Sequence, residues 1–197
     1  MQAIRVDEAD APVVAETLAL AFADDPVWGV ALAELDVSQR ATFWSFFVRG
    51  ALTYGTVWTT PDTAAVATWI PPDGVELPGE LEAEMFAFAT SVLSPDAVAA
   101  LEELWERFDA AHPHHEPHAY LSLLATHPSR RGHGIGQQLL ATTLEGWDAQ
   151  GIPSYLESTN PGNNHRYQRA GFEAVGGFDA PLNGARITTM WRVVTAD

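Results

Sequence analysis

The chain reads as an α/β protein, one domain on a mixed central sheet of about six to seven strands with flanking helices. Three observations predict this. Short β-branched and aromatic runs alternate with longer stretches of helical spacing. Some neighbouring runs are joined by hairpin-type turns and others by helix-length segments, so antiparallel pairs and crossovers share one sheet. A run at 120–126 leads directly into a glycine-rich turn that opens a helix. The 197 residues suit one domain with a proper core, and 47% hydrophobic against 18% charged residues fits an ordered globular chain. No repeat, low-complexity tract or interdomain linker interrupts it.

In chain order, residues 3–6 form a short opening strand. Asp10 starts a helix with Pro12 in its first turn, and Val13, Val14, Leu18 and Phe22 recur at helical spacing. That helix stops near Asp24-Asp25-Pro26, and a loop carrying Trp28 follows. Ser38 caps a second helix whose Phe43, Phe46 and Phe47 lie largely on one face. Residues 55–60 and 64–70 form a hairpin around Pro61-Asp62-Thr63, ended by Pro71-Pro72-Asp73-Gly74. Helices follow at 79–91 and 95–109, then a proline-interrupted loop, His112 to His118. After the strand at 120–126 come a helix at 135–149, a strand at 154–158 and a short helix at 163–169. Gly171-Phe172 opens a further strand, and Asn183-Gly184 turns the chain into a last strand at 186–194.

Charge is unevenly spread. Residues 1–118 hold 20 Asp and Glu against 4 Arg, whereas residues 119–197 hold 6 of each kind, and lysine is absent throughout. A chain of net charge −16 is a poor nucleic-acid binder, because neutralising phosphates needs a basic face. The neutral second part tolerates an anionic ligand, while the acidic first part favours cationic ones or serves solubility alone. Apolar stretches fall short of membrane-spanning length and the N-terminal residues lack a secretory apolar core, so a cytoplasmic protein is expected. Without cysteine there is no disulfide framework, thiolate metal site or cysteine nucleophile.

The central chemical signal is the segment Thr126 to Leu140, in which Pro128 ends a strand and Gly132, Gly134 and Gly136 open a helix. Glycines let main-chain N–H groups converge on a ligand, and a helix start adds unpaired donors and positive dipole charge. Phosphate is the ligand such a turn suits, and Arg130 and Arg131 add charge beside it. A nucleotide P-loop would need Lys-Ser/Thr after its last glycine, yet Gln137-Gln138 follow; a dinucleotide fingerprint would need glycine at 137.

The run Arg131-Gly132-His133-Gly134-Ile135-Gly136 after a strand and Pro128 resembles the pyrophosphate-binding motif of the GCN5-related N-acetyltransferase (GNAT) superfamily. Some 30 residues on, Asn160-Pro161-Gly162-Asn163, Tyr167 and Gly171-Phe172 resemble its second motif. The match covers residues 119–178 closely and the rest by element order. Ala21 to Pro26, Leu156-Glu157-Ser158-Thr159 and Met190-Trp191-Arg192 look like the puromycin N-acetyltransferase branch. The resemblance implies an acyl-coenzyme A core at 119–178 and an acceptor-side half at 1–118. It implies a sheet splayed between the strands at 120–126 and 154–158, with acetyl-CoA as acyl donor between them. Main-chain groups of Leu124, Ala125 and Thr126 would line the pantetheine arm, and Arg131, Gly132, His133, Gly134, Ile135, Gly136 and Gln137 the pyrophosphate. Asn160 and Asn163 would touch the arm or cap the helix bearing Tyr167. Tyr167 would protonate the departing thiolate.

An amine must shed its proton before attack. Glu157, ten residues before Tyr167, and His118, just ahead of the cofactor strand, are the candidate base and relay; each also reads as an ordinary polar residue. His114, His115 and His118 are close in sequence, but the prolines prevent a shared helical face, so loop histidines are expected rather than a metal site. The resemblance places acceptor contacts on the first two helices and the loop between them, which carry Asp24, Asp25, Trp28, Phe43, Trp44 and Phe47. Carboxylates with aromatics suit a small hydrophobic or aromatic amine, as a monomer's or homodimer's substrate. Two other readings are a non-catalytic acyl-CoA-sensing domain and a peptide or protein N-terminal acetyltransferase.

Overall fold

Helix-forming and strand-forming segments alternate along the chain so that helices cover both faces of one sheet, and the computed structural model describes residues 2–194 of this arrangement. The strands are β1 (Ile4–Arg5), β2 (Val57–Thr59), β3 (Ala65–Ile70), β4 (Ala119–Thr126), β5 (Ser154–Ser158), β6 (Glu173–Asp179) and β7 (Arg186–Arg192). The helices are α1 (Ala11–Ala21), α2 (Trp28–Ala31), α3 (Val37–Leu52), α4 (Gly79–Val92), α5 (Pro95–Ala111), α6 (Ile135–Asp148) and α7 (Asn164–Arg169). The seven-stranded sheet has the order β1-β2-β3-β4-β5-β7-β6. Its neighbours are antiparallel except β4 and β5, joined in parallel through the crossover helix α6.

Several local expectations change for identifiable reasons. The loop around Trp28 folds into the single-turn α2, because the Asp25 carboxylate accepts from the N–H groups of Val27 (3.0 Å) and Trp28 (3.1 Å). The cap of α3 is Asp36 rather than Ser38: Asp36 and Gln39 satisfy each other's main-chain N–H in a capping box. Asp10 stands at the start of α1 without a capping bond; the Asp7 carboxylate instead receives the N–H groups of Ala9 and Asp10. The last strand ends at Arg192, short of residue 194. Arg192 is fixed there by a two-pronged ion pair with Asp148 of α6, at 2.5 and 2.7 Å.

Two features of β4 set up everything that follows. Thr68 pairs with Leu123 and Trp69 with Leu121, so Ser122 is an extra residue and β4 bulges. The bulge reverses which side chains face which core. Ala119 and Leu121 pack into a cluster with Trp69, Leu139, Leu140 and Trp147, whereas Leu123 and Ala125 face the cluster built on α1, α3 and α5. The Thr68 hydroxyl accepts from the Leu123 N–H at 3.0 Å and holds the bulge in place. The parallel ladder between β4 and β5, secondly, is confined to Ala119 with Ser154 and Tyr120 with Tyr155. Past those two pairs the strands continue without bonding to each other.

Candidate active site

The end of β4 feeds a turn whose glycines are required by two different constraints. Gly134 is the N-terminal cap of α6 at φ 73°, left-handed backbone that favours glycine. Gly136 has ordinary dihedrals, but a Cβ there would stand 2.5 Å from the Thr126 hydroxyl. With no capping side chain, the first N–H groups of α6 face a cavity of about 660 Å³. Leu124, Ala125, Thr126, Arg131, Gly132, Gly134, Ile135, Gly136, Gln137, Asn160 and Asn163 all line it. His133 does not; its ring turns back to the Arg131 carbonyl, 3.0 Å away. Arg131 donates to the Ala21 carbonyl at 2.6 Å, and Arg130 pairs with Asp62 at 2.9 Å. Arg166 and Arg169 of α7 reach the same cavity, doubling its arginines to four. Their spacing of three on a helix was the available clue. The Asn160 side chain accepts from the Gly162 N–H at 3.0 Å, and that of Asn163 accepts from Arg166 at 2.5 Å.

Tyr167 projects from α7 into this cavity and packs edge-on against Phe172, with ring centroids 6.2 Å apart. Burial, and then the nearby Asp25 carboxylate, push its phenol up to about 12, so it carries its proton at neutral pH. Asp24 and Asp25 also line this cavity rather than the aromatic one. Asp25 caps α2 with one carboxylate oxygen and accepts from the Thr159 hydroxyl with the other, at 2.9 Å. Burial raises its pKa against the pull of those hydrogen bonds.

A second cavity, of about 540 Å³, begins on the other side of Thr159. Trp28, Trp44, Phe47, Trp105 and Phe108 form an aromatic wall, with Trp28 and Phe108 stacked at 6.0 Å. Phe43 is fully buried behind them, 5.2 Å from Trp44, and does not reach the cavity. Tyr120, Ser122, Glu157 and Glu76 form the floor, and the histidine loop stands over it. The Glu157 side chain is 2% exposed, and neither carboxylate oxygen has a hydrogen-bond partner. His112 Nδ1 lies 3.5 Å away, and the phenols of Tyr120 and Tyr155 are close enough for its charge and weak, poorly aligned hydrogen bonding to act on them. Burial, reinforced by that carboxylate, pushes both phenols up. His118 Nε2 is 3.2 Å from His112 Nε2, and its Nδ1 is 2.6 Å from the Glu116 carbonyl. Burial pulls the His118 pKa down, favouring the neutral ring. His114 bonds the Asp109 carbonyl at 2.9 Å, and among the described residues no group of three or more His, Asp or Glu is placed to hold a metal ion.

The structure therefore brings Glu157 and His118 together through His112, and sets Tyr167 in the adjoining cavity beside Asp25. His112, Glu76, Tyr120 and Trp105 escaped the sequence reading. Glu76 sits in a loop with no motif around it, and His112 counted only as one member of a histidine run.

Residues 97–174 match the family model described as Acetyltransferase (GNAT) domain. Over the whole chain the fold is similar to three solved structures. One is titled histone acetyltransferase HPA2 and related acetyltransferase, from Corynebacterium glutamicum: 22% identical, covering 100% of this chain and 97% of that one, TM-score 0.64. Another is arylalkylamine N-acetyltransferase 2 from Aedes aegypti: 13% identical, covering 98% and 99%, TM-score 0.71. The third is the Drosophila melanogaster polyamine N-acetyltransferase: 14% identical, covering 98% and 99%, TM-score 0.65. No helix among the described residues is long and apolar enough to cross a membrane. The glycine turn, the bulged β4 and the short β4–β5 seam thus belong to a chain whose residues 97–174 match the GNAT domain model and whose overall fold is similar to that of solved acetyltransferases.

Proposed function

We propose that this chain moves an acetyl group from acetyl-CoA directly to the amine of a small hydrophobic or aromatic molecule. One observation carries the reading: a phosphate-suited cavity at a helix start adjoins an aromatic cavity holding a buried carboxylate, with the Asp25–Thr159 bond and the Phe22–Trp44 ring contact in the wall between them. The names of neighbouring structures support a small amine, since they include arylalkylamine, agmatine and polyamine acetyltransferases.

In this reading the N–H groups from Arg131 to Gln137, with the nearby arginines, hold the pyrophosphate. Leu124, Ala125 and Thr126 lie along the pantetheine arm, an N–H near Leu124 polarises the thioester carbonyl, and Asn160 and Asn163 flank it. Residues 119–178 serve the coenzyme and residues 1–118 the acceptor. An alkyl ammonium titrates near ~10, so Glu157 takes its proton, directly or through water, and His118 relays it outward by way of His112. The free amine attacks the carbonyl carbon, the C–N bond forms as the C–S bond breaks, and Tyr167 gives its proton to the leaving sulfur. No metal takes part. The motif resemblance supports the puromycin N-acetyltransferase type; the composition suits a cytoplasmic monomer or homodimer.

A panel of small amines with acetyl-CoA, followed by free-thiol release, tests this. Tyr167→Phe is expected to lower kcat about 10²-fold with little change in coenzyme affinity. If no amine raises thiol release above background hydrolysis, the chain is a coenzyme-binding domain instead.

A further inference from the structure

Glu157 is not the only carboxylate on the floor of the aromatic cavity. Glu76, from the loop between β3 and α4, lines the same cavity, near enough for the Glu157 charge to act on it. Its placement is enforced from behind. The Tyr54 hydroxyl accepts from the Val75 N–H at 2.8 Å and donates to the Val75 carbonyl at 3.2 Å, pinning the neighbouring residue. A Cβ at Gly50 of α3 would collide with the Glu76 main-chain oxygen, so the loop packs where only glycine permits.

These two carboxylates have no permanent cation to answer them. No arginine lines the cavity, and the chain has no lysine. The groups facing Glu76 are Ser122, Glu157, Tyr120 and His112; only His112 can become positive, and burial keeps the adjacent His118 toward neutrality. The rim adds Asp73, Asp109 and Glu116. Burial pushes Glu76 up to about 7, as expected of a carboxylate without a compensating charge. A buried carboxylate with no permanent cation beside it is unfavourable unless something in the cavity pairs with it, and Glu157, 2% exposed, is such a group.

We propose that Glu76 is a specificity-determining residue that forms, with Glu157, a two-carboxylate seat selecting small organic ammonium ions whose apolar body lies against the aromatic wall. Acids and phosphates are repelled by the seat, and alcohols of the same shape leave its charge unanswered. The proposal deepens the acceptor-cavity reading above and rests on it for the identity of the reacting group.

Calorimetric titration with 2-phenylethylammonium and its neutral isostere 2-phenylethanol at pH 7.5, without coenzyme, reads the seat directly. The wild-type chain is expected to prefer the ammonium at least 30-fold. Glu76→Gln should reduce that preference at least tenfold by weakening the ammonium alone, and Glu76→Asp should retain part of it. Coenzyme affinity in the other cavity reports whether each variant is folded. Equal weakening of both probes, no weakening of either, or no preference in the wild type overturns the proposal. An ammonium-selective chain that acetylates nothing would sink the transferase reading and keep the seat. An active enzyme whose amine KM ignores Glu76→Gln would sink the seat alone.

Discussion

A single ionisable side chain can be tested by what it does to stability as well as to binding, and Glu76 is the clearest case. Its pKa is near 7 in the folded chain against an ordinary 4.5. Below pH 4.5 the group is protonated whether the chain is folded or not. Between 4.5 and 7 the folded chain holds a proton the unfolded chain has lost, so stability falls as pH rises and stays lowered above 7. Glu76→Gln removes this deficit. Thermal melts should show the variant above wild type at pH 8, by about 2–4 °C per kcal/mol recovered, and the two converging near pH 4. Equal melting temperatures at both pH values would mean that Glu76 is solvated. Tyr167 could be picked out from sequence because a fixed spacing ties it to Gly171-Phe172. Glu76 could not, because only the packing of its loop on Gly50 and Tyr54 brings it to Glu157.

Among the elements, the strand-to-helix turn makes the most specific demand. The obstacle to a side chain at position 136 is one hydroxyl oxygen, Thr126 Oγ1, rather than main chain. Gly136→Ala should therefore weaken coenzyme affinity about tenfold by shifting the start of α6, and adding Thr126→Ala should restore most of it; isothermal titration with coenzyme A measures both. An unrescued double variant would place the fault in the helix rather than in the contact. The helices were legible because their apolar spacing and proline or glycine boundaries are local signals. The bulge at Ser122 was not, since it depends on Thr68 of another strand accepting from the Leu123 N–H. The single turn α2 was hidden likewise: its cap, Asp25, looked like a ligand-binding acid beside Asp24. The two-pair limit of the β4–β5 ladder cannot be read from β4 or β5 alone either, as both have the composition of ordinary buried strands.

Across the whole molecule, charge and cavities divide along the same line. The acidic first part supplies Glu76 and most of the aromatic cavity, while all four arginines of the cavity at the glycine turn come from the neutral second part. The proposed cationic acceptor would thus be drawn toward the acidic side by a field that salt screens within about 10 Å at 0.1 M. Raising sodium chloride from about 10 mM to about 0.5 M, where screening is nearly complete, should increase the amine KM severalfold in initial-rate measurements; a flat response would deny the field any role. The motif-bearing segment was recognisable in sequence because phosphate binding sets its glycine spacing, whereas no motif marks the residues that line the aromatic cavity. The two cavities share no lining residue and meet along Asp25 with Thr159 and Phe22 with Trp44. Under the proposed function neither guest would have to vacate before the other arrives, so the protein would have no need to store the acyl group on itself between visits, and with no cysteine it lacks the readiest place to do so.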